Sequence, residues 1–339
     1  MHLELLVPAL FEAQAPAPSL ELLLARGRRA DHEGASPEDW LASAFGLSGP
    51  LPAGALTAHA FGAPAAEGHW LRADPVHLRA DRDRVLLLPG HGLDLAEAEA
   101  RALCAELNRH FAGEFSVEAF APACWGLRAA AAMAVETRPP LEASGRDGGA
   151  QPADRRLRAL LAEIQMALYR HEVNTAREAR GAPVANSLWL WGAGALPEAA
   201  ALQDAVPWHS LSADDPVALG LAKLAGMRQR APGEGAAAWL ERAPEDGRHL
   251  VLLDALRATA ALGDLETLAQ RLRALDENWF APLLAALRAG RIGMFSVHVP
   301  EAGASFETVR GDLRRFWRRP RPLAKYRTRQ SEASVGARP

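Results

Sequence analysis

The fold class this 339-residue sequence predicts is a doubly wound, largely parallel α/β sheet, carrying an inserted smaller α/β domain. Three observations predict it. Short apolar runs alternate with amphipathic stretches along most of the chain, the pattern of strand–helix–strand units. The run Leu188-Trp189-Leu190-Trp191 is apolar on both faces, as for a strand covered on both sides, and Gly192 and Gly194 free the backbone at its end. Breaks rich in Gly, Ala and Pro bracket a second, compact pattern of short strands around one helix.

Taken in order, the chain opens with a strand over 3–7 and a helix over 19–26, closed by Gly27 where a C-cap glycine belongs. Ser36-Pro37-Glu38-Asp39 offers an N-cap, a first-turn proline and two first-turn acids, predicting a helix over 37–45. Residues 46–68 read as loop. The smaller domain then follows: strands over 69–71 and 85–88, a helix over 95–111, and strands over 115–120 and 125–129. Its helix sets Leu95, Ala98, Ala102, Leu103 and Leu107 against Glu97, Glu99, Arg101 and Glu106, which is amphipathic spacing. Beyond the linker come a helix over 155–169, the Trp-rich strand, a helix over 216–227, a strand over 250–253, helices across 265–287 and a strand over 292–299. The expected division is a core domain of residues 1–66 and 155–320, an insert of 67–138, a flexible linker of 139–154 and a basic tail of 321–339.

Composition narrows the classes further. A net charge of −3 gives no general affinity for nucleic acid or membrane. Cys104 and Cys124, the two cysteines, lack metal spacing, and no apolar run approaches the roughly 18 residues a transmembrane helix needs. The first residues lack a basic region and a cleavage site, so a cytoplasmic protein is expected.

The segment 171–197 carries the most information. It reads His-x-x-Asn-x-x-Arg, then Gly-x-Pro-Val-Ala-Asn-Ser-x-Trp-x-Trp-Gly-x-Gly-x-x-Pro. This resembles the signature of the archaeal-type cofactor-independent phosphoglycerate mutases, members of the alkaline-phosphatase-like superfamily. Residues 18–27 and 69–127 resemble that family more loosely, and a closer resemblance is to RpfE-type regulatory proteins, divergent relatives of those mutases. The resemblance implies an alkaline-phosphatase-like core, an inserted substrate-side domain and a two-metal phosphotransferase centre.

Such a centre needs oxygen and imidazole ligands at the carboxyl ends of several strands, because two divalent ions must flank the transferring phosphoryl group. The family carries Asp directly after the first strand; here Val7-Pro8-Ala9-Leu10-Phe11-Glu12 follows, and the first Asp is Asp31. The stretch from Asp254 to Asp264 has no His. After the last long strand only His298 and Glu301 stand near the family's Asp-His positions, and no His follows. Asp254, Asp264 and His298 are at most remnants of a metal site. Ser36 is the position for a family nucleophile, yet its capping motif accounts for it without that role.

His171, Asn174, Arg177 and Arg180 recur every third residue, so a helix there places them along roughly one face. The stripe either binds an anion, together with Asn186, Trp189 and Trp191, or clamps the following loop, the arginines pairing with acids such as Glu172 or Glu178. A separate stretch, 314–329, packs eight basic residues with Trp317 and Tyr326 and no acid. The sequence therefore predicts a non-catalytic, metal-free, mutase-like protein with a regulatory or anionic-ligand-binding role and no cofactor. The alternatives are a metal-dependent mutase or phosphatase using Mn or Zn, and a nucleic-acid-associated protein acting through the basic segment.

Overall fold

Leu3, Leu5 and Leu6 of the first strand point to both sides of a sheet, and all three are fully buried. The computed structural model, which describes residues 1–81, 84–133, 135, 137–144, 154–243 and 246–327, shows why. Its strands are β1 (His2–Leu6), β2 (Arg28–Asp31), β3 (His69–Asp81), β4 (Arg84–Pro89), β5 (Phe115–Ala121), β6 (Cys124–Ala129), β7 (Ser187–Gly194), β8 (Ser210–Ser212), β9 (Arg228–Arg230), β10 (Arg248–Leu252), β11 (Met294–Val299) and β12 (Ala304–Val309). The chain divides into two units, Met1–Gly46 with Leu202–Pro339, and Leu47–Ala201.

The first unit holds a seven-stranded sheet in the order β2-β12-β11-β1-β10-β8-β9. β11, β1, β10, β8 and β9 run parallel, and β12 and β2 add an antiparallel edge. One face packs Leu3, Leu5, Phe295 and Val251 against leucines of the helices Pro18–Arg26, Leu265–Leu275 and Ala281–Ala289. A π-helical turn, Asp276–Phe280, joins the latter two. It turns the buried Asp276 carboxylate onto the Ser19 and Leu20 N–H groups at 3.2 and 2.8 Å, so that a negative charge caps the start of helix Pro18–Arg26. The opposite face carries Glu4 and His298, with Trp40 of helix Pro37–Ala44 5.1 Å from the His298 ring.

The second unit is built on β3, whose 13 residues replace the short strand expected over 69–71. Along one edge it pairs first with β6 and then with β4; along the other it pairs with β7, and every pairing is antiparallel. Pro75 lies between the β6-paired and β4-paired stretches, where a missing N–H interrupts neither ladder, so the proline does not end the strand. The helices Glu97–His110 and Arg155–Tyr169 cover one face through Leu103, Leu107, Ile164 and Leu168. On β7 the expectation needs correction: the Trp-rich strand is covered on both faces, but it belongs to this antiparallel sheet and not to the parallel one. The unit therefore spans 47–201, taking in residues 155–201 that the sequence assigned to the core domain.

Residues 46–68 are likewise not all loop. They contain the helix Ala53–Ala60, whose first six residues are all buried, so no polar face produces an amphipathic signal. A side chain at Gly54 would overlap the Leu71 backbone, and Gly192, at φ +61°, passes against Ala53. The glycine-rich turn passes directly against this helix. Within the expected linker, Pro140–Ala143 forms one helical turn, while 145–153 lie outside the described residues, as do 328–339 of the tail.

Candidate functional site

Helix Glu172–Ala179 follows from an N-cap at His171, whose Nδ1 accepts the Val173 N–H at 3.2 Å. One face of it faces the chain's own loop. The Asn174 side chain is buried, donates to the carbonyls of Leu168 and Ala185 at 2.9 Å each, and accepts the Ala185 N–H. Arg177, 1% exposed, donates to the Pro183 carbonyl at 2.9 Å, to the Leu93 carbonyl and to Glu99 Oε2 at 2.6 Å. Arg180, half exposed, reaches Glu99 Oε1 at 2.6 Å. Burial pushes the Glu99 carboxyl upward, but hydrogen bonds from Arg180 and the Ala96 N–H and the charge of Arg177 outweigh it and hold the group below its ordinary range.

The rest of the motif is occupied in the same way. Asn186 accepts the Leu78 N–H and donates to the Leu78 carbonyl, both at 2.8 Å, so its side chain continues the ladder past the end of β7. Trp189 donates its indole N–H to the Arg138 carbonyl at 2.7 Å. Trp191 donates to Asp74, which also binds Arg72 at 2.6 Å, and the Arg72 guanidinium lies 5.2 Å from the Trp191 ring centre. Of the two readings of the stripe, the loop clamp describes these contacts; its acid is Glu99, 78 residues before Arg177, and not Glu172 or Glu178. An anion at Arg177 would have to displace that carboxylate and the carbonyls of Pro183, Leu93 and Asp94 from a closed site.

In the first unit the carboxyl ends of the parallel strands are where an open α/β sheet places a ligand. Several chain segments meet there. Ala35 donates its N–H to the Pro300 carbonyl after β11, which brings Ser36 and helix Pro37–Ala44 to that edge. Ala9, after β1, holds a left-handed backbone at φ +58° and donates its N–H to Glu301 Oε1 at 3.1 Å. After β10, Arg257 sends one Nη onto both oxygens of Glu38, at 2.6 and 2.8 Å. Glu38 attracts the guanidinium strongly enough to overcome the cost of its burial, and Asp215 and Asp254 add to that attraction. Burial holds the Asp254 carboxyl above its ordinary range, against the pull of Arg257.

These residues do not fit a pair of divalent ions. Among the described residues no three His, Cys, Asp or Glu side chains stand close enough together to hold a metal. A guanidinium, charged at every working pH, sits among the carboxylates that remain. Asp264 is far from this role: its side chain caps helix Leu265–Leu275 by accepting the Thr267 N–H at 3.0 Å. His298 lies within β11 and meets Glu4 at 3.2 Å. Ser36 Oγ accepts the Asp39 N–H at 3.0 Å, which is the capping role its sequence context supplies.

Sequence reasoning missed Arg257 and the role of Glu38. Glu38 registers only as a first-turn acid, and Arg257 sits inside a stretch that stands out for its lack of histidine. The pair is separated by 219 residues, so no local pattern announces it.

Among solved structures, the PH0037 protein from Pyrococcus horikoshii matches with a TM-score of 0.51 over 91% of this chain and 87% of that one, at 13% identity. A cofactor-independent phosphoglycerate mutase from Thermoplasma acidophilum DSM 1728 matches with a TM-score of 0.44 over 92% and 90%, at 18% identity. No family model and no curated protein matches the chain. The first likeness extends over nearly the whole chain and agrees with the predicted fold class, a largely parallel sheet accompanied by a second α/β unit.

Proposed function

We propose that this chain is a phosphoglycerate-mutase-like protein that does not carry out metal-dependent phosphoryl transfer and instead has a regulatory role exercised through an anionic ligand. The observation that carries this reading is the Arg257–Glu38 pair at the carboxyl ends of the parallel strands. Two-metal transfer requires ionised oxygen ligands with room for two dications between them. Here a fixed monocation neutralises Glu38, and burial favours the protonated form of Asp254. The resemblance of 171–197 to the archaeal mutases and of the chain to RpfE-type regulatory proteins supports descent from such an enzyme. No helix among the described residues is long and apolar enough to cross a membrane.

Metal analysis of the purified protein, paired with an assay for interconversion of the two monophosphoglycerate isomers with Mn or Zn added, tests the first half. The expected result is neither stoichiometric metal nor turnover. Two tightly held ions per chain, or turnover abolished by Ser36→Ala, would reinstate the enzyme. For the second half, a thermal-shift screen of phosphorylated and carboxylated metabolites should find a stabilising anion. Within the stripe Arg180 is the residue left to meet it, being 51% exposed. Retention of the full shift in Arg180→Ala would move the ligand elsewhere.

A further inference from the structure

Residues 310–327 run over the first unit, tied down on both sides of an exposed centre. On the near side, Asp312 is buried, accepts the Val309 N–H at 3.1 Å and pairs with Arg315 at 2.8 Å, and Arg315 and Arg318 donate to the carbonyls of Arg26 and Gly27 at the end of helix Pro18–Arg26. On the far side Leu323 is buried, and Tyr326 packs against Phe11 and Phe306 with ring centres 6.2 and 5.6 Å away. Between these anchors Phe316 and Trp317 stand 78% and 66% exposed, their ring centres 5.3 Å apart and their planes at 82°.

The charge around the two rings is one-sided. The side chains of Arg314, Arg319, Arg321 and Lys325 are all exposed, and none of these side chains has a hydrogen bond or an ion pair among the described residues. Residues 313–327 contain no acid, and two acids that do reach the segment are already engaged: Asp312 by Arg315, and Glu12 by Arg327 at 2.5 Å. In a chain of net charge −3 this is a local positive surface with two uncovered aromatic rings at its centre.

We propose that this surface binds single-stranded nucleic acid. Guanidinium groups give planar, bidentate contacts to phosphate oxygens, and a free ring face accepts a base from any sequence. A duplex would withhold its base faces, and among the described residues the segment 310–327 forms only short 3-10 turns, with no long helix to enter a groove. A membrane surface fits less well, because the rings lie perpendicular to each other on a short turn and not along one face of an amphipathic helix. The proposal is independent of the function proposed for the strand ends.

Anisotropy of a fluorescein-labelled oligothymidylate titrated with the full-length protein tests it, alongside cosedimentation with phosphatidylglycerol vesicles. Binding is expected at low salt, weakening with a log–log slope of about −0.7 for each phosphate contact. Trp317→Ala should weaken it by about 5- to 150-fold, and Arg319→Ala with Arg321→Ala should flatten the slope by about two contacts' worth. Each of these side chains is exposed, so unchanged melting of the variants checks that the fold survives. No binding at low salt, binding indifferent to both sets of substitutions, or binding to vesicles without binding to the oligonucleotide overturns the proposal.

Discussion

Arg177 and Arg257 are both withdrawn from solvent and both meet a carboxylate at 2.6 Å, yet their surroundings differ in kind. Arg177 spends its donors on the carbonyls of Pro183, Leu93 and Asp94 as well as on Glu99. Arg257 meets only the Glu38 carboxylate among the described residues. Backbone carbonyls cannot be neutralised or mutated away, so the first arginine is welded to the path of its loop. The second is held by charge, in a place where a sheet of this kind presents its chemistry. A guanidinium that closes a loop and one held by a single carboxylate are distinguished by what else they bind, not by their burial.

Substitutions can break or sharpen that contrast. Arg177→Ala should cost about 3–5 kcal/mol in urea unfolding, since it removes the buried partner of Glu99 and leaves the carbonyls of Leu93, Asp94 and Pro183 without their donor. Arg180→Ala, which removes the half-exposed partner of the same Glu99, should cost under about 1 kcal/mol. Equal losses from the two would dissolve the distinction between clamp and surface pair.

Arg257→Met should cost about 3 kcal/mol by leaving Glu38 uncompensated, and the double variant Arg257→Met, Glu38→Leu should recover most of it. A pair held by charge alone is replaceable in this way, whereas the Arg177 clamp is not rescued by Glu99→Leu. A double variant no more stable than the single one would show that Arg257 also has an architectural role.

The contrast extends to acid. Glu4 is buried, and although burial opposes its ionisation, hydrogen bonds from His298 and Arg248 hold its pKa down at about 2. A carboxyl depressed in the folded state stabilises the fold above its unfolded pKa near 4.3, and that contribution is lost as pH falls towards 2. It amounts to roughly 2–3 kcal/mol. Glu4→Gln should therefore flatten the acid limb of stability between about pH 4.5 and 2. An unchanged limb would assign it to other carboxylates. The smallest effect is expected at Asp254, whose carboxyl is raised by burial. Asp254→Asn should raise the unfolding midpoint at neutral pH and leave it unchanged near pH 3, where the wild-type group is already protonated. A midpoint lowered at neutral pH would mean that the charge on Asp254 is needed by Arg257.

What the sequence disclosed follows the same division. Elements whose signal is local were readable: the cap at Ser36, the amphipathic Glu97–His110 helix, the long helix Arg155–Tyr169 and the central strand of leucines. The motif 171–197 was readable as a unit, because Asn174 and Arg177 bind carbonyls only 6 to 11 residues away. The partner of β7 was not, since coverage on both faces is produced equally by a parallel sheet and by an antiparallel one packed between helices. Nor was the short edge strand β2, Arg-Arg-Ala-Asp, whose four exposed residues show no burial pattern. Glu38 and Arg257 meet only after the whole sheet has assembled.

That assembly has an order in time. β1 lies between β10 and β11, so the strand made first pairs with strands made nearly last. The chain from Leu47 to Ala201 forms one continuous unit and is complete on the ribosome well before Arg248 emerges. At about 5–20 residues per second, His2 to Leu6 waits on the order of 10–50 s for its neighbours. Throughout that interval its leucines have no parallel sheet to enter, so their apolar surface stays uncovered during synthesis.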